Sequence, residues 1–529
     1  REVTPIRYIL VSLSSFLLAL TLNAEEATST VQNTSLEVDS VELQDIRFAG
    51  YLEDSSVAMA VTRFAKNPAI KIDGHIDEDV WLQVVPHDRF VVTNPDTLEI
   101  APLQTKVRMA YNDSGFYLAA EMIQDPDTLI RRLSARDEGF LNRDYFSFQL
   151  DTSGEGRYGF WFQLNLGDSR ADGTVKPERQ FSDNWDGAWY GQTQSTDYGW
   201  TAEFFIPWSV VAMPKVEGMR KMGIYMSRKV ASVDQRYSWP ALPFTQPKFL
   251  SAFQPLLFES VNAPRQLSFI PYISSSFDSI SDDSSHSLGT DFFWRPSTNF
   301  QVTATMLPDF GTVESDSVIV NLTAIETFYP EKRLFFLEGQ EIFQMSSRSG
   351  GFSSNSMVSM LHTRRIGQKA ITPDIPEDAE FTWSDFSRPV DLLRAGKTTG
   401  TAGEFSYGFL AAQEDDSTFH GTLYGEPISI NQSGRDFGVV RGLWEKSNGS
   451  YKGLGFMSTK VMHPTGDVHT DGVDTHYFSA DGKFKVDSTL MMSDLPNDPT
   501  GYGAIVDIQY APKRGVRHEL ALEQYDDEF

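Results

Sequence analysis

Residues 299–306 read NFQVTATM, and their alternation decides the fold. Phe300, Val302, Ala304 and Met306 fall on one side of an extended chain, while Asn299, Gln301, Thr303 and Thr305 fall on the other. Strand side chains point alternately to opposite faces, so one face of this strand is apolar and the other polar. Phe405, Tyr407, Phe409 and Ala411 repeat the device, as do Ala504, Val506, Ile508 and Tyr510. Residues 478–486 fit the same template, with Phe478, Ala480, Phe484 and Val486 opposing Ser479, Asp481, Lys483 and Lys485. A soluble antiparallel sheet gives this pattern when a second layer covers its apolar face. A membrane barrel gives it when that face meets lipid.

Working outward to the N-terminus, Arg1 and Arg7 flank the start of an apolar run from Ile9 to Leu22, which ends in Leu22-Asn23-Ala24. That layout reads as a cleaved export signal over residues 1–24. The run falls short of the roughly 20 residues that a helical span needs, and no later run is longer. Residues 25–60, rich in Ser, Thr, Glu and Asp, read as a solvated acidic linker. From Val61 to about residue 262, short apolar runs are broken by Gly, Pro, Asn and Asp at intervals of about 8–12 residues, the rhythm of an all-β domain. Its best strands are Val107 to Tyr111, Phe116 to Met122, Tyr145 to Leu150, Phe160 to Leu166 and Thr201 to Ile206. Only Asp77 to Val85 and Trp208 to Val211 look like short helical turns. Export, strands near ten residues and polar loops together favour a transmembrane antiparallel β-barrel over residues 265–529, placed after that domain in an all-β chain.

Composition narrows the function. The 529 residues include 45 basic and 72 acidic ones, a formal charge of −27. Phosphate backbones need a basic footprint, so nucleic acid is excluded as a general partner. The absence of cysteine removes disulfides, thiolate metal sites and a cysteine nucleophile. No H-E-x-x-H, G-x-S-x-G or phosphate-cradling glycine loop occurs.

Four stretches then occur in order: IKIDGHIDEDVW (70–81), YNDSGFYLAAEMIQD (111–125), RDYFSFQLD (143–151) and GWTAEFFIPWSVV (199–211). In that order they resemble family 9 carbohydrate-binding modules. The block from Leu307 to Phe343, with TRRIG at 363–367, resembles a bacterial family of unassigned activity whose members join such a module to an outer-membrane β-barrel. Barrels of that family are longer than residues 265–529 allow, so the resemblance implies a barrel that is incomplete here. It also implies a protein of the Gram-negative outer membrane, with lipid and the barrel assembly machinery as partners and a polysaccharide or oligosaccharide as ligand. The sandwich would then lie in the periplasm or within the barrel lumen.

Sugar rings are gripped by flat aromatic faces and planar polar groups. Trp185, Trp189 and Tyr190, in the run NWDGAWY (184–190), are the carbohydrate-binding candidates, whereas Trp81, Trp200 and Trp208 read as core. Modules of this kind commonly hold structural calcium, a cation suited by hard oxygen ligands. Asp144, Asp151, Asp168 and Asp172 are the candidate ligands. A glycosidase needs two carboxylates roughly 5–9.5 Å apart. Glu203 and Glu338 are the tempting pair, yet both sit in stretches that architecture explains better. The expectation is an outer-membrane protein that binds carbohydrate through its sandwich, for capture or uptake. The alternatives are a glycoside hydrolase with an accessory binding module, and an assembly or adhesion factor without sugar binding.

Overall fold

The computed structural model describes residues 58–529 apart from 65–69, 139–140, 184, 215, 217, 260, 262–264, 279–282, 298, 311–328, 330, 346–358 and 383–385. The expected export signal and most of the expected linker lie outside the described residues.

Two facing sheets make the N-terminal sandwich. In the first, Tyr145–Asp151 lies between Met219–Val230 and Gly159–Asn165, with Arg170–Lys176 and Gln180–Ser182 beyond. In the second, Gly199–Pro207 lies between Tyr190–Thr196 and Gly115–Ile123, with Thr105–Tyr111 next. Alternation selects the faces that meet. Phe146, Phe148 and Leu150 project from the first sheet, Trp200, Ala202 and Phe204 from the second, and all are buried in one core. The Phe148 and Phe204 rings meet edge to face at 5.2 Å, a favourable geometry for paired aromatics. Asp79–Gln83 is a short 3-10 helix that buries Trp81, and Trp208 begins a turn in which Val210 N–H donates to the Pro207 carbonyl at 3.1 Å.

From Gln266–Asp278 to Val516–Tyr525, eleven antiparallel strands form a single sheet. Its neighbours follow chain order, apart from a side sheet of Ala379–Phe381, Ser417–Leu423 and Glu426–Gln432. Among the described residues the first and last strands pair only with their inner neighbours, so the sheet is of up-and-down barrel type but open. Its polarity is inverted relative to a water-soluble sheet. In Phe300–Met306 the polar Gln301, Thr303 and Thr305 are buried, while Val302 and Ala304 are half-buried and Met306 is exposed. In Phe405–Glu414 the buried set includes Ser406 and Glu414, and Phe405 and Phe409 face outward. In Asp436–Asn448 the charged Arg441 and Glu445 are buried while Val440 and Trp444 are exposed. Leu454, Phe456, Leu520 and Leu522 extend the exposed apolar face.

The inner face is filled rather than open along its length. The helical turn Leu334–Leu337 and the 3-10 turn Gln340–Phe343 lay Phe335, Phe336 and Phe343 against Leu410, Phe437 and Met457. Buried cations satisfy the carbonyls of these turns. Lys397 Nζ donates to the Phe335 carbonyl at 2.5 Å, and Arg441 Nε donates to that of Ile342 at 3.0 Å. Arg441 also grips Asp474 with two parallel bonds of 2.5 and 2.8 Å, the bidentate geometry that makes guanidinium–carboxylate pairs strong. The sandwich meets this assembly through a few polar contacts: Arg157 Nη1 donates to the Gly403 carbonyl at 3.4 Å, Arg295 to that of Ser209, and Arg514 pairs with Asp96.

One sequence reading fails. Residues 478–486 are not a strand but a hairpin corner between Val468–Phe478 and Phe484–Asp494, and Phe478 is buried on the inner face. Turn chemistry outweighs the alternation there. Lys483 N–H donates to Asp481 Oδ1 at 3.0 Å, Phe484 N–H donates to Ser479 Oγ at 2.9 Å, and Gly482 takes φ +74°.

The inverted polarity makes a sharp prediction. If the exposed Phe409 meets lipid, Phe409→Arg lowers unfolding stability in detergent or lipid by about 2–4 kcal/mol. At an exposed position of a water-soluble sheet the same change would stay within about 0.5 kcal/mol. Denaturant titration of the two proteins decides between these outcomes.

Candidate functional site

The aromatic candidates separate on burial. Trp189 is 2% exposed; its ring stacks on Phe204 at 5.8 Å and meets Phe162 edge-on, with the Arg170 guanidinium 5.6 Å from its centre. Trp185 is 8% exposed and packs on Phe160 at 4.8 Å. Neither ring therefore offers an open face to solvent for stacking a sugar, and both belong to the sandwich core. The Asp-Gly-rich stretch between them suggests a loop, but the chain folds it back over the first sheet. Tyr190 is 58% exposed and lies near-parallel to Phe205 at 6.2 Å, across the strand pair Tyr190–Thr196 and Gly199–Pro207.

The aspartate candidates do not converge as a set. Asp144 accepts from the Ile130 and Ala231 N–H groups at 2.6 and 3.0 Å. Asp151 accepts from Ser153, Gly154 and Gly156 N–H, shaping the turn after its strand. Asp168 accepts from Thr193 N–H and Oγ1 at 2.7 and 2.8 Å. Each is thus occupied in holding backbone. Asp172 alone joins a carboxylate group, with Asp137 and Asp186, whose oxygens lie within 4.8 Å of one another. These are hard donors of the kind calcium takes. The Arg136 guanidinium already pairs with all three, so a cation would have to displace it. Three carboxylates around one guanidinium leave an excess of negative charge. Burial, chiefly, pushes Asp137 up to about 7 and Asp172 up to about 6.

Glu203 is fully buried and architectural. It accepts from Gly74 N–H at 3.0 Å, Asp73 N–H at 3.2 Å and Trp81 Nε1–H at 3.3 Å, fastening the IDG loop to its strand. Burial pushes it up to about 8, with Glu78 adding to the effect and the three donors opposing it.

The feature that sequence reasoning missed is a cavity of about 300 Å³ enclosed by three walls. The first sandwich sheet contributes Phe160 and Lys176, with Trp185 from the segment after its edge strand Gln180–Ser182; the turns Leu334–Leu337 and Gln340–Phe343, which plug the inner face, contribute Glu338 between them and Glu341; the inner face of the long sheet contributes Glu445, Tyr451, Phe478 and Asp487. Aromatic surfaces and charged groups alternate around it. Glu341 Oε2 is buried there with no hydrogen-bond partner among the described residues. Tyr451 Oη donates to Glu445 at 2.7 Å, and His476 lies 2.8 Å from carboxylate oxygens of both Asp474 and Asp487. Sequence carried a partial signal, because charged residues such as Glu445, Asp474 and Asp487 interrupt alternating strands on their polar face. It carried none for the third wall, which comes from some 300 residues earlier in the chain.

Residues 263–420 match a family described as a domain of unknown function, DUF5916. No curated protein matches the chain. Among solved structures it is similar to a family 9 carbohydrate-binding module from Caldicellulosiruptor kristjanssonii in complex with glucose, at 14% identity over 39% of this chain and 97% of that one, with TM-score 0.28. It is also similar to a loop-deletion mutant of the outer membrane protein OmpT of Vibrio cholerae, at 11% identity over 73% of this chain and 94% of that one, with TM-score 0.23. A mutant porin of Rh. blastica shares 9% identity over 72% of this chain and 93% of that one, with TM-score 0.17. Both kinds of fold that the sequence resembles return among these neighbours. Likenesses this slight say nothing of ligand or activity here.

The acidic trio yields a pH prediction. Asp137 and Asp172 hold protons more tightly folded than unfolded, where they titrate near 3.8. Their contribution to stability is therefore complete below pH 3.8 and is lost as pH rises through about 6 and 7. Melting temperatures measured from pH 4 to 8 should fall less steeply for Asp137→Asn than for the parent protein. Parallel profiles would show that the trio does not titrate in this range.

Proposed function

We propose that this chain is an outer-membrane protein that binds an oligosaccharide in the cavity between its sandwich and the inner face of its barrel sheet. The observation that carries the reading is the cavity lining. Phe160, Trp185 and Phe478 supply apolar rings, and the buried Glu341 Oε2, without a partner among the described residues, supplies an acceptor. A sugar presents apolar C–H faces and a rim of hydroxyls that both donate and accept, which matches such a lining. The space lies at the lower end of the range for small-molecule sites and suits a short saccharide segment rather than a broad polymer surface. Support for the membrane comes from the exposed Phe409, Phe456 and Leu454 opposite buried Arg441, Glu445 and Asp474. Water would penalise that arrangement, whereas a bilayer rewards it. The N-terminal export signal expected over residues 1–24 fits the same address. On this reading Trp185 contributes its edge to the cavity wall rather than a stacking platform, and Tyr190 lies outside the site. Glu203 lines neither this cavity nor its neighbour, which leaves the hydrolase alternative without its proposed pair.

The test uses the full chain in detergent, titrated calorimetrically with a panel of tri- to hexasaccharides. A membrane-fraction location with a heat-dependent gel shift is expected, together with saturable binding of at least one saccharide. Thr399→Trp, which fills the cavity from the barrel side, should weaken that binding at least about tenfold, a loss of roughly 1.4 kcal/mol, while preserving the gel shift. A soluble, unshifted protein would remove the membrane half of the reading. Binding indifferent to Thr399→Trp would place the sugar elsewhere.

A further inference from the structure

A second cavity, of about 460 Å³, adjoins the first and shares Arg179, Gln180, Phe478 and Lys485 with it. That common wall hangs from the link between Arg170–Lys176 and Gln180–Ser182, two neighbouring strands of the first sandwich sheet. Two cations stand on the link three residues apart, and among the described residues neither lies within ion-pair distance of a carboxylate. Lys176 Nζ donates to the Glu341 carbonyl at 2.7 Å. Arg179 Nη2 donates to the carbonyls of Leu242 and Pro243 at 3.3 and 2.7 Å, its guanidinium lies 4.0 Å from the Phe249 ring centre, and its Nε is buried without a partner. The adjacent Glu178 is turned away, accepting from Phe249 and Ser251 N–H at 2.5 and 3.1 Å.

The carboxylates facing the first cavity lie on the other walls, and most are engaged. Glu338 meets Arg295 at 3.4 Å, Asp487 meets Lys485 at 2.9 Å and His476, and Glu445 accepts from Tyr451. The sandwich side of the space thus presents Lys176 and Arg179, which feel nearby carboxylates, Glu445 and Glu341 for Lys176 and Glu178 for Arg179, but are held by hydrogen bonds to carbonyls rather than by a direct ion pair among the described residues. Burial lowers Arg179 to about 10, with Tyr225 and Glu178 opposing the effect and Arg236 and Arg517 adding to it. An arriving anion would offset the cost of that burial, and the planar fork of arginine suits a carboxylate in particular.

We propose that the Lys176–Arg179 link binds a carboxylate carried by the saccharide, so that the ligand class is an acidic oligosaccharide built on uronic-acid-type sugars. This rests on the reading of the cavity as a sugar site. Carboxylated rings would lie with their acid group toward the sandwich and their hydroxyls toward Glu341 and Glu445.

The experiment compares trigalacturonate with the matching neutral galactose trisaccharide, titrated into the full chain in detergent at low and at moderate salt. The expected result is a preference of at least about tenfold for the acidic trisaccharide, worth roughly 1.4 kcal/mol and shrinking with salt. In Arg179→Gln the ratio of acidic to neutral affinity should fall about tenfold, and Arg179→Lys should recover part of it. The gel shift verifies that each variant folds, and Lys176→Gln serves in place of any that does not. A neutral trisaccharide bound as tightly as the acidic one, or an undiminished ratio in both Arg179→Gln and Lys176→Gln, would overturn the inference while leaving the sugar site standing. Binding of neither trisaccharide overturns the inference, and the sugar-site reading fails as well if the broader saccharide panel is also silent.

Discussion

The constraint on which the structure depends is that the long sheet buries its polar side. Gln301, Thr303 and Thr305 are hidden while Val302, Ala304 and Met306 between them are not; on Phe405–Glu414 and Asp436–Asn448 the hidden side mixes Ser406, Glu414, Arg441 and Glu445 with Leu410, Phe437, Val439 and Leu443, while Phe405, Phe409, Val440 and Trp444 stay exposed. In water this would forfeit about 25 cal/mol for each Å² of apolar surface left exposed and bury groups that need partners. A sheet of this polarity is stable only where its outer surroundings are apolar and its inner groups are satisfied by protein or water.

Everything inside follows from that second requirement. The turns Leu334–Leu337 and Gln340–Phe343 bring carbonyls for Lys397 and Arg441 to bond, and phenylalanine rings to pack on the apolar part of the inner face. Arg441, Asp474, His476, Asp487 and Lys485 form a continuous chain of charge-assisted contacts across neighbouring strands. Such a chain contributes little net stability by itself, since desolvation consumes much of the attraction. It does fix register and side-chain orientation, because removing one member strands its partner in a place that cannot ionise cheaply. The sandwich then covers what the plug leaves open, and the cavity is the space where the three surfaces fail to interdigitate.

Period-two alternation told which side chains of residues 299–306, 405–411 and 504–510 share a face, because a strand has only two; which face turns outward took the structure to show, since a covered water-soluble sheet carries the same pattern. It also misled at 478–486, where Ser479, Asp481 and Gly482 carried a turn signal that the apolar spacing obscured. Trp81, Trp200 and Trp208 were legible as core because they sit in the stretches that carry the family resemblance, and all three are buried. Trp185 and Trp189 were not, since a run rich in Asp and Gly looks exposed until the chain is seen folding over Phe160 and Phe162. Asp144, Asp151 and Asp168 were legible as oxygen donors but not by partner: Asp151 shapes its own turn, whereas Asp144 and Asp168 hold backbone of distant segments that the sequence does not place beside them. The cavity was beyond sequence reasoning for a geometric reason: Lys176 and Asp487 face one space although more than half of the chain separates them.

Because the cavity takes one wall from the sandwich and another from the barrel sheet, its occupancy and the seating of the sandwich are thermodynamically linked. Few direct bonds hold the two parts together, among them Arg157 to the Gly403 carbonyl and Arg514 to Asp96. A guest that touches both walls strengthens that weak seam by the difference between its affinity for the seated and for the lifted arrangement. By reciprocity, any force that lifts the sandwich, whether a neighbouring machine in the envelope or tension on a long polymer, loosens the hold on the guest to the same degree.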